Sequence, residues 1–445
     1  RVFFRSGATM EFSFRKSQLG KLRSLIIENE DRIHKALASD LHKPTFEAFA
    51  TETGQVLSEI RHALQNLKKW MEPKNTATPL SFFPATSSIR YEPRGVALII
   101  APWNYPFQLT MAPLIGSISA GNCTIVKPSE LAPATSEVIN SLLTRYFEPE
   151  HILTVTGNAE VGRELLTKKF DHIFFTGSTT VGISIASAAA KSLTPVTLEL
   201  GGKSPTIIDD TANLTLAARR IVWGKFLNAG QTCIAPDYVL VPESHKSEFV
   251  SRVTSTIKHF YTDNSKSSPD YSRIINERHF NRLLSYLEEG RVLVGGQTDR
   301  NELFIAPTVI DNLPMDAKAL QEEIFGPILP LVTYETLNDA IEWIFQHPEP
   351  LALYIFSNNR TNQEKLLKTL PFGGGVINDV LIHFSNPELP FGGRGRSGVG
   401  SYHGRFSFET FSHRKPIVNG STLFDPKLRY PPYRNKLQWL KKLMR

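Results

Sequence analysis

The chain contains two cysteines, and their surroundings differ. Cys123 opens an apolar run and has the setting of an inert small hydrophobe. Cys233 closes the polar segment Asn228-Ala229-Gly230-Gln231-Thr232-Cys233, which reads as a loop open to solvent or ligand. A thiol there is a candidate nucleophile. Because an unperturbed thiol is only about 3% thiolate at neutral pH, it would need a cation or a helix start beside it. Glu199 lies in the apolar stretch Val196-Thr197-Leu198-Glu199-Leu200, just before Gly201-Gly202. A carboxylate buried at the end of a strand is costly unless paired or functional. Glu199 is therefore either a general base or a salt-bridged structural acid. Asn104, in Pro102-Trp103-Asn104-Tyr105-Pro106, could donate its amide to an oxyanion or cap a turn. The histidines are scattered and the cysteines far apart, so no metal-ligand spacing is visible.

Two glycine clusters compete as phosphate-binding turns. Gly393-Arg394-Gly395-Arg396-Ser397-Gly398 matches the dinucleotide fingerprint literally. That fingerprint needs a strand before it, a helix after it and an acid about 20 residues on. Pro390 precedes the cluster, Gly400 and Gly404 interrupt any helix, and no acid lies between Thr410 and Asp425, so a tight loop is the better reading. Gly177-Ser178-Thr179-Thr180-Val181-Gly182 follows the apolar run Ile173-Phe174-Phe175 and opens an Ala/Ser-rich helical segment. Its backbone N–H groups could face a pyrophosphate, or it is a plain strand–helix turn, and spacing alone leaves both open. A Walker loop is excluded, because Ile183 stands where a lysine is required.

The elements that must carry these residues follow from periodicity. Leu19, Leu22, Ile26 and Ile33 recur as on one helix face, and a second long helix is expected from Phe46 to Met71. The stretch from Thr76 to Pro93, rich in proline and β-branched residues, reads as an extended excursion or hairpin. From Gly95 onward short apolar runs alternate with helical segments. The runs are 96–100, 124–126, 173–175 and 196–198, then 206–208, 238–241, 330–332 and 353–356. Alternation at this spacing predicts an α/β fold of two units with parallel sheets.

Composition narrows the classes. The 445 residues are 41% hydrophobic and 21% charged, the balance of a globular protein with a large core. A net charge of +7, with acids mixed among the bases and no basic stripe interleaved with aromatics, argues against nucleic acid as a partner. Two cysteines cannot form a disulfide framework and suit a reducing compartment. No segment has signal-peptide character or nears the roughly 18 apolar residues of a membrane span, so a cytoplasmic location is expected. A chain starting on Arg1 is read as trimmed.

Six segments in sequence are more specific than any one of them. Pro102–Pro106, Lys127-Pro128-Ser129-Glu130, Phe175-Thr176-Gly177-Ser178, Leu198-Glu199-Leu200-Gly201-Gly202-Lys203, Gly230-Gln231-Thr232-Cys233 and Glu323-Ile324-Phe325-Gly326-Pro327 resemble, in order, the aldehyde dehydrogenase superfamily. The short N-terminal region, Ile377-Asn378-Asp379 and Leu389-Pro390-Phe391-Gly392-Gly393 are similar to the dimeric class 3 branch, which includes fatty aldehyde dehydrogenases.

The resemblance implies a Rossmann-like cofactor domain (1–76 and 93–203), an α/β catalytic domain (204–385), a small β oligomerisation element (77–92 and 386–418) and a tail (419–445). It implies a homodimer that oxidises an aliphatic or aromatic aldehyde to the carboxylate. Cys233 would be the nucleophile and Glu199 the base that activates water, with Asn104 and the Cys233 N–H as the oxyanion hole. Lys127 and Glu130 would meet the adenine ribose, Gly177 and Ser178 the pyrophosphate, and Glu323 with Phe325 the nicotinamide ribose. Glu130 would favour NAD over NADP by repelling a 2′-phosphate, although class 3 members with such a glutamate can accept both.

A CoA-acylating enzyme of the same fold is the nearest rival, and Glu199 argues against it because water needs a base more than a thiol does. A catalytically silent scaffold predicts loss of Cys233, Glu199 or Asn104, and all three are present. The tail from Tyr433 to Arg445 mixes Leu437, Trp439, Leu440, Leu443 and Met444 with five basic residues. It could lie on an anionic membrane surface, or as a helix over a partner subunit or the substrate entrance.

Overall fold

The computed structural model describes residues 1–425 and 427–444. Its centre is two twisted sheets with helices packed on their faces. The first runs Gly398–Val399, Val196–Glu199, His172–Thr176, Val96–Ile100, Cys123–Lys127, Ile152–Thr154. All its pairings are parallel except that of the edge strand Gly398–Val399. These strands read as continuous apolar runs because helices cover them, among them Gln108–Ala120, Pro133–Tyr146 and Thr179–Ala190. Strand order reverses between Val96–Ile100 and His172–Thr176. That switch point opens a crevice at the strands' carboxyl ends, where open α/β sheets hold their ligands.

The second sheet runs Arg291–Val294, Thr308–Asp311, Ile328–Tyr334, Tyr238–Pro242, Pro205–Ile208, Ala352–Phe356, Gly374–Ile377. It is parallel apart from the antiparallel pair at the Arg291–Val294 edge. One hydrophobic cluster, including Val126, Phe174, Ile208 and Tyr354, joins the two sheets. A third, antiparallel ribbon contains Lys74–Thr76, Thr86–Pro93 and Ser412–Asn419, the latter two pairing along eight residues.

The N-terminal periodicity corresponds to helices Phe12–Glu28 and Glu30–Leu41, with Leu19, Leu22, Ile26 and Ile33 fully buried. Two readings need correcting. The helix expected from Phe46 to Met71 is α-helical over Thr45–Ala48 and Gly54–Met71, but Phe49–Thr53 is a π-turn. Periodicity cannot register one extra residue in a turn. Ser407, expected in the β element, lies in the helix Gly404–Thr410, and the strand begins at Ser412. The 393–398 cluster is the tight turn expected of it, with Arg394 N–H donating to Ser397 Oγ, and it leads into a two-residue edge strand.

The tail forms the helix Leu437–Met444, with Leu437, Trp439 and Leu440 exposed. Arg445 and the side chains of Leu443 and Met444 lie outside the described residues. Among the described residues no helix is long and apolar enough to cross a membrane, and no cluster of three or more His, Cys, Asp or Glu could hold a metal ion.

Candidate active site

Cys233 lies in the connection between the helix Leu214–Phe226 and the strand Tyr238–Pro242. Earlier in this connection Asn228 and Ala229 both adopt the left-handed conformation, at φ 52° and 51°. For residues with a Cβ such geometry costs on the order of 1–3 kcal/mol each, so the surroundings must impose it. They do so through hydrogen bonds. Asn228 N–H donates to Glu47 Oε2 at 3.1 Å, and its side-chain amide donates to the Asn104 carbonyl at 2.9 Å. Gln231 Nε2 donates to the Arg273 carbonyl at 2.9 Å, and Gln231 Oε1 accepts from Ile275 N–H at 3.0 Å. The Tyr105 and Thr232 hydroxyls are 2.6 Å apart, which fixes the residue before the cysteine.

Asn104 follows the strand Val96–Ile100 at the switch point. Its buried amide donates to the Gln231 carbonyl at 3.0 Å, so it faces the cysteine loop rather than capping its own turn. One amide N–H remains for a ligand. Glu199 ends Val196–Glu199, the strand on the far side of His172–Thr176 in the same sheet, and is 3% exposed. Neither of its oxygens meets a hydrogen-bond partner among the described residues, which removes the salt-bridged reading. Burial holds its carboxyl well above the usual carboxylate range, which makes its ionised form a stronger base.

Two cavities meet at the half-buried Cys233. One, of about 830 Å³, is mostly apolar, with Phe46, Leu109, Trp223, Leu227, Leu381 and Phe384 among its walls. The other, of about 750 Å³, brings Asn104, Gly177, Ser178, Glu199, Glu323 and Phe325 to the same thiol. Desolvation, then Glu323 and Glu199, push the Cys233 thiol up. Glu323 is itself raised to about 8, first by burial and then by Asp237, and its Oε1 has no partner among the described residues. Its segment is anchored by Lys203, whose buried ammonium donates to Asp237 Oδ2 and the Ala319 carbonyl at 2.7 Å and to the Glu322 carbonyl at 2.9 Å. Gly201 faces Glu323 so closely that a Cβ would overlap the carboxylate.

The second cavity suits a dinucleotide. Ser178 caps the helix Thr179–Ala190, Gly177 and Ser178 line the cavity just ahead of that helix, and the Glu323 oxygen is free to accept from a hydroxyl. Lys127 and Glu130 do not line this cavity. They pair with each other at 2.9 Å, Lys127 being the last residue of the strand Cys123–Lys127 and Glu130 lying three residues past it.

A model of the aldehyde dehydrogenase family matches residues 3–417. The chain belongs to this family. It is 48% identical to the 4,4'-diaponeurosporen-aldehyde dehydrogenase of Staphylococcus aureus (strain NCTC 8325 / PS 47), over 99% of this chain and 96% of that one. It is 46% identical to aldehyde dehydrogenase family 3 member A2 of Macaca fascicularis, over 99% and 91%. The solved structure described as the substrate-bound state of Staphylococcus aureus AldH superposes with a TM-score of 0.98 at 47% identity, covering 100% of this chain and 97% of that one. The protein is therefore an NAD(P)-dependent aldehyde dehydrogenase of the family 3 kind, with the α/β fold expected from its strand–helix alternation.

Sequence reading missed other groups in this dehydrogenase's site. Trp103 stands 4.9 Å from His279 and 5.2 Å from Phe325, ring centre to ring centre, across the second cavity. Arg282 donates to the Glu323 and Ile324 carbonyls at 3.3 and 2.7 Å. His279 and Arg282 sit on a helix with no motif of its own, so only tertiary placement reveals them. Trp103 adjoins Asn104 and could have been found by taking the whole pentapeptide as one wall.

Proposed function

We propose that Cys233 is the nucleophile, Glu199 the general base and Asn104 the oxyanion donor of a hydrolytic aldehyde oxidation. The observation that carries this reading is that Cys233 is common to both cavities, with an unpartnered buried carboxyl on the polar side. The Cys233 thiol releases its proton to solvent, its sulfur bonds to the aldehyde carbon as the C=O π pair moves to oxygen, and the oxygen, now anionic, accepts hydrogen bonds from Asn104 Nδ2 and the Cys233 N–H. One such donor is worth about 10²- to 10³-fold in rate. A nicotinamide cofactor bound on the polar side supplies the hydride acceptor and a positive charge near the sulfur. Loss of hydride leaves a thioester on Cys233. Glu199 then takes a proton from water, the hydroxide adds to the thioester carbon, and the carboxylate leaves as the thiol is restored.

Gly177, Ser178, Glu323 and Phe325 are assigned to the cofactor, with Lys127 and Glu130 at its adenine ribose. NAD is the preferred form, since Glu130 would repel a 2′-phosphate. The apolar walls favour a long-chain or aromatic aldehyde, in keeping with a relative named for 4,4'-diaponeurosporen-aldehyde. The division at residues 203 and 204 into cofactor and catalytic domains belongs to the same reading. So do a homodimer built on the ribbon, a cytoplasmic location and contact of the exposed tail helix with a membrane surface.

The test follows reduced nicotinamide with NAD or NADP and a medium-chain aldehyde, beside Cys233→Ser and Glu130→Ala variants. Turnover is expected in the parent, none in Cys233→Ser, and a shift of about 10-fold towards NADP in Glu130→Ala. Turnover that requires added CoA would overturn the hydrolytic assignment.

A further inference from the structure

Lys43 and Glu52 form an ion pair at 2.5 Å with both side chains completely inaccessible to solvent. Burying two charges is costly and is not by itself a source of stability, so their further contacts matter. Glu52 Oε2 accepts from Phe107 N–H at 3.0 Å and Gln108 N–H at 2.9 Å, just where the helix Gln108–Ala120 begins. Lys43 Nζ donates to the Asn104 carbonyl at 3.3 Å and lies 4.1 Å from the centre of the Tyr105 ring. The pair thus grips residues 104–108 from both ends. Glu52 belongs to the π-turn Phe49–Thr53, and such turns recur at functional sites. Within the gripped segment Pro106 has no N–H to donate, and the Phe107 and Gln108 N–H groups go to Glu52.

We infer that Lys43 and Glu52 are positioning residues for the dehydrogenase: they set the backbone of Asn104, and through it the amide aimed at the oxyanion. The same grip reaches the nucleophile, since Tyr105 holds Thr232 and the Asn104 carbonyl also accepts from Asn228. Neither residue lines either cavity, so neither touches substrate or cofactor. The inference rests on the assignment of Asn104 as oxyanion donor.

A double-mutant cycle tests it. The variant Lys43→Met/Glu52→Gln removes both charges together and leaves neither buried alone. Its pre-steady-state burst of reduced nicotinamide is measured alongside cofactor Kd, on the parent and on the Asn104→Ala background. A misplacement near 1 Å costs about 10²-fold, so the burst should slow by about 10- to 100-fold in the parent. Cofactor Kd should be unchanged, and the same substitutions should cost less than about 2-fold once Asn104 is alanine. An equal loss on both backgrounds, or no loss in the parent, overturns the inference while leaving the assignment of Asn104 intact. A normal burst in Asn104→Ala alone overturns that assignment and this inference with it. Should the double variant fail to fold, Glu52→Asp keeps the charge while withdrawing the carboxylate by one methylene, and the same cycle with the same outcomes applies.

Discussion

Replacing Glu199 by glutamine should separate the two halves of the reaction and, unusually for an active-site change, should not cost stability. The carboxyl is fully enclosed without a partner, so only its ionised form is penalised by the fold. General-base assistance is typically worth about 10²- to 10⁴-fold, or roughly 2.7–5.5 kcal/mol of barrier. Steady-state turnover of Glu199→Gln should fall by that factor. Thioester formation does not draw on the base, so one equivalent of reduced nicotinamide should still appear in a burst, with an acyl adduct on Cys233 detectable by intact mass.

Stability has a definite sign as well. The folded pKa of Glu199 lies above the unfolded value near 4.3, so the unfolded chain ionises first and stability is lost as pH rises through the interval between them. Within that interval the loss is about 1.4 kcal/mol per pH unit, and glutamine abolishes it. Unfolding curves at pH 5 and 8 should therefore converge in the variant relative to the parent. A variant without burst or adduct but with normal cofactor binding would refute the reasoning, as would unaltered turnover.

Gly201→Ala should drive the Glu323 carboxyl from its place and raise the cofactor KM by about 5- to 150-fold, since leaving a buried polar group without its partner costs roughly 1–3 kcal/mol; initial rates at saturating aldehyde measure it, and an unchanged KM would show that Glu323 does not bear on the cofactor. Acid should unfold the protein through histidines buried in the neutral state. Burial and then Arg94 hold His172 at about 3, while burial is also the first cause that holds His151 and His383 at about 4. Their folded values lie below the unfolded value near 6.5, so stability is present above that pH and lost below it, by about 1.4 kcal/mol per histidine at pH 5.5. His172→Asn should remove about a third of the three-histidine loss in apparent unfolding free energy between pH 7.5 and 5.5, and an undiminished loss would count against it.

The parallel sheets were legible because strands buried on both faces print as unbroken apolar runs, and the residues just beyond them as Gly, Pro and Asn. Glu199 was legible as a charge at the end of such a run. Its lack of a partner was not, because pairing is a tertiary fact. The literal glycine fingerprint at 393–398 was legible as a tight loop from the residues around it, and the less regular 177–182 turn lies at the switch point with a capped helix behind it. Lys43 and Glu52 gave no signal at all: two charges in a charged N-terminal region look solvated, and only the π-turn and the distant 104–108 segment bury them. The family resemblance gave Lys127 and Glu130 a different part of the cofactor from Glu323 and Phe325, and they stand outside the cavity that Glu323 and Phe325 share with Cys233.

The two cavities that share Cys233 also bear on the order of events. Exposed Phe46 and Ile382 flank one mouth, and exposed Ser178 lies at the other. With the aldehyde in one cavity and the cofactor in the other, neither need queue for the sulfur. A long acyl chain can stay seated in its tunnel while the spent carrier is exchanged, leaving space on the Glu199 side for the incoming water. An inhibitor shaped for the apolar opening would then leave carrier exchange untouched, and its effect on rate would not be relieved by raising the carrier concentration.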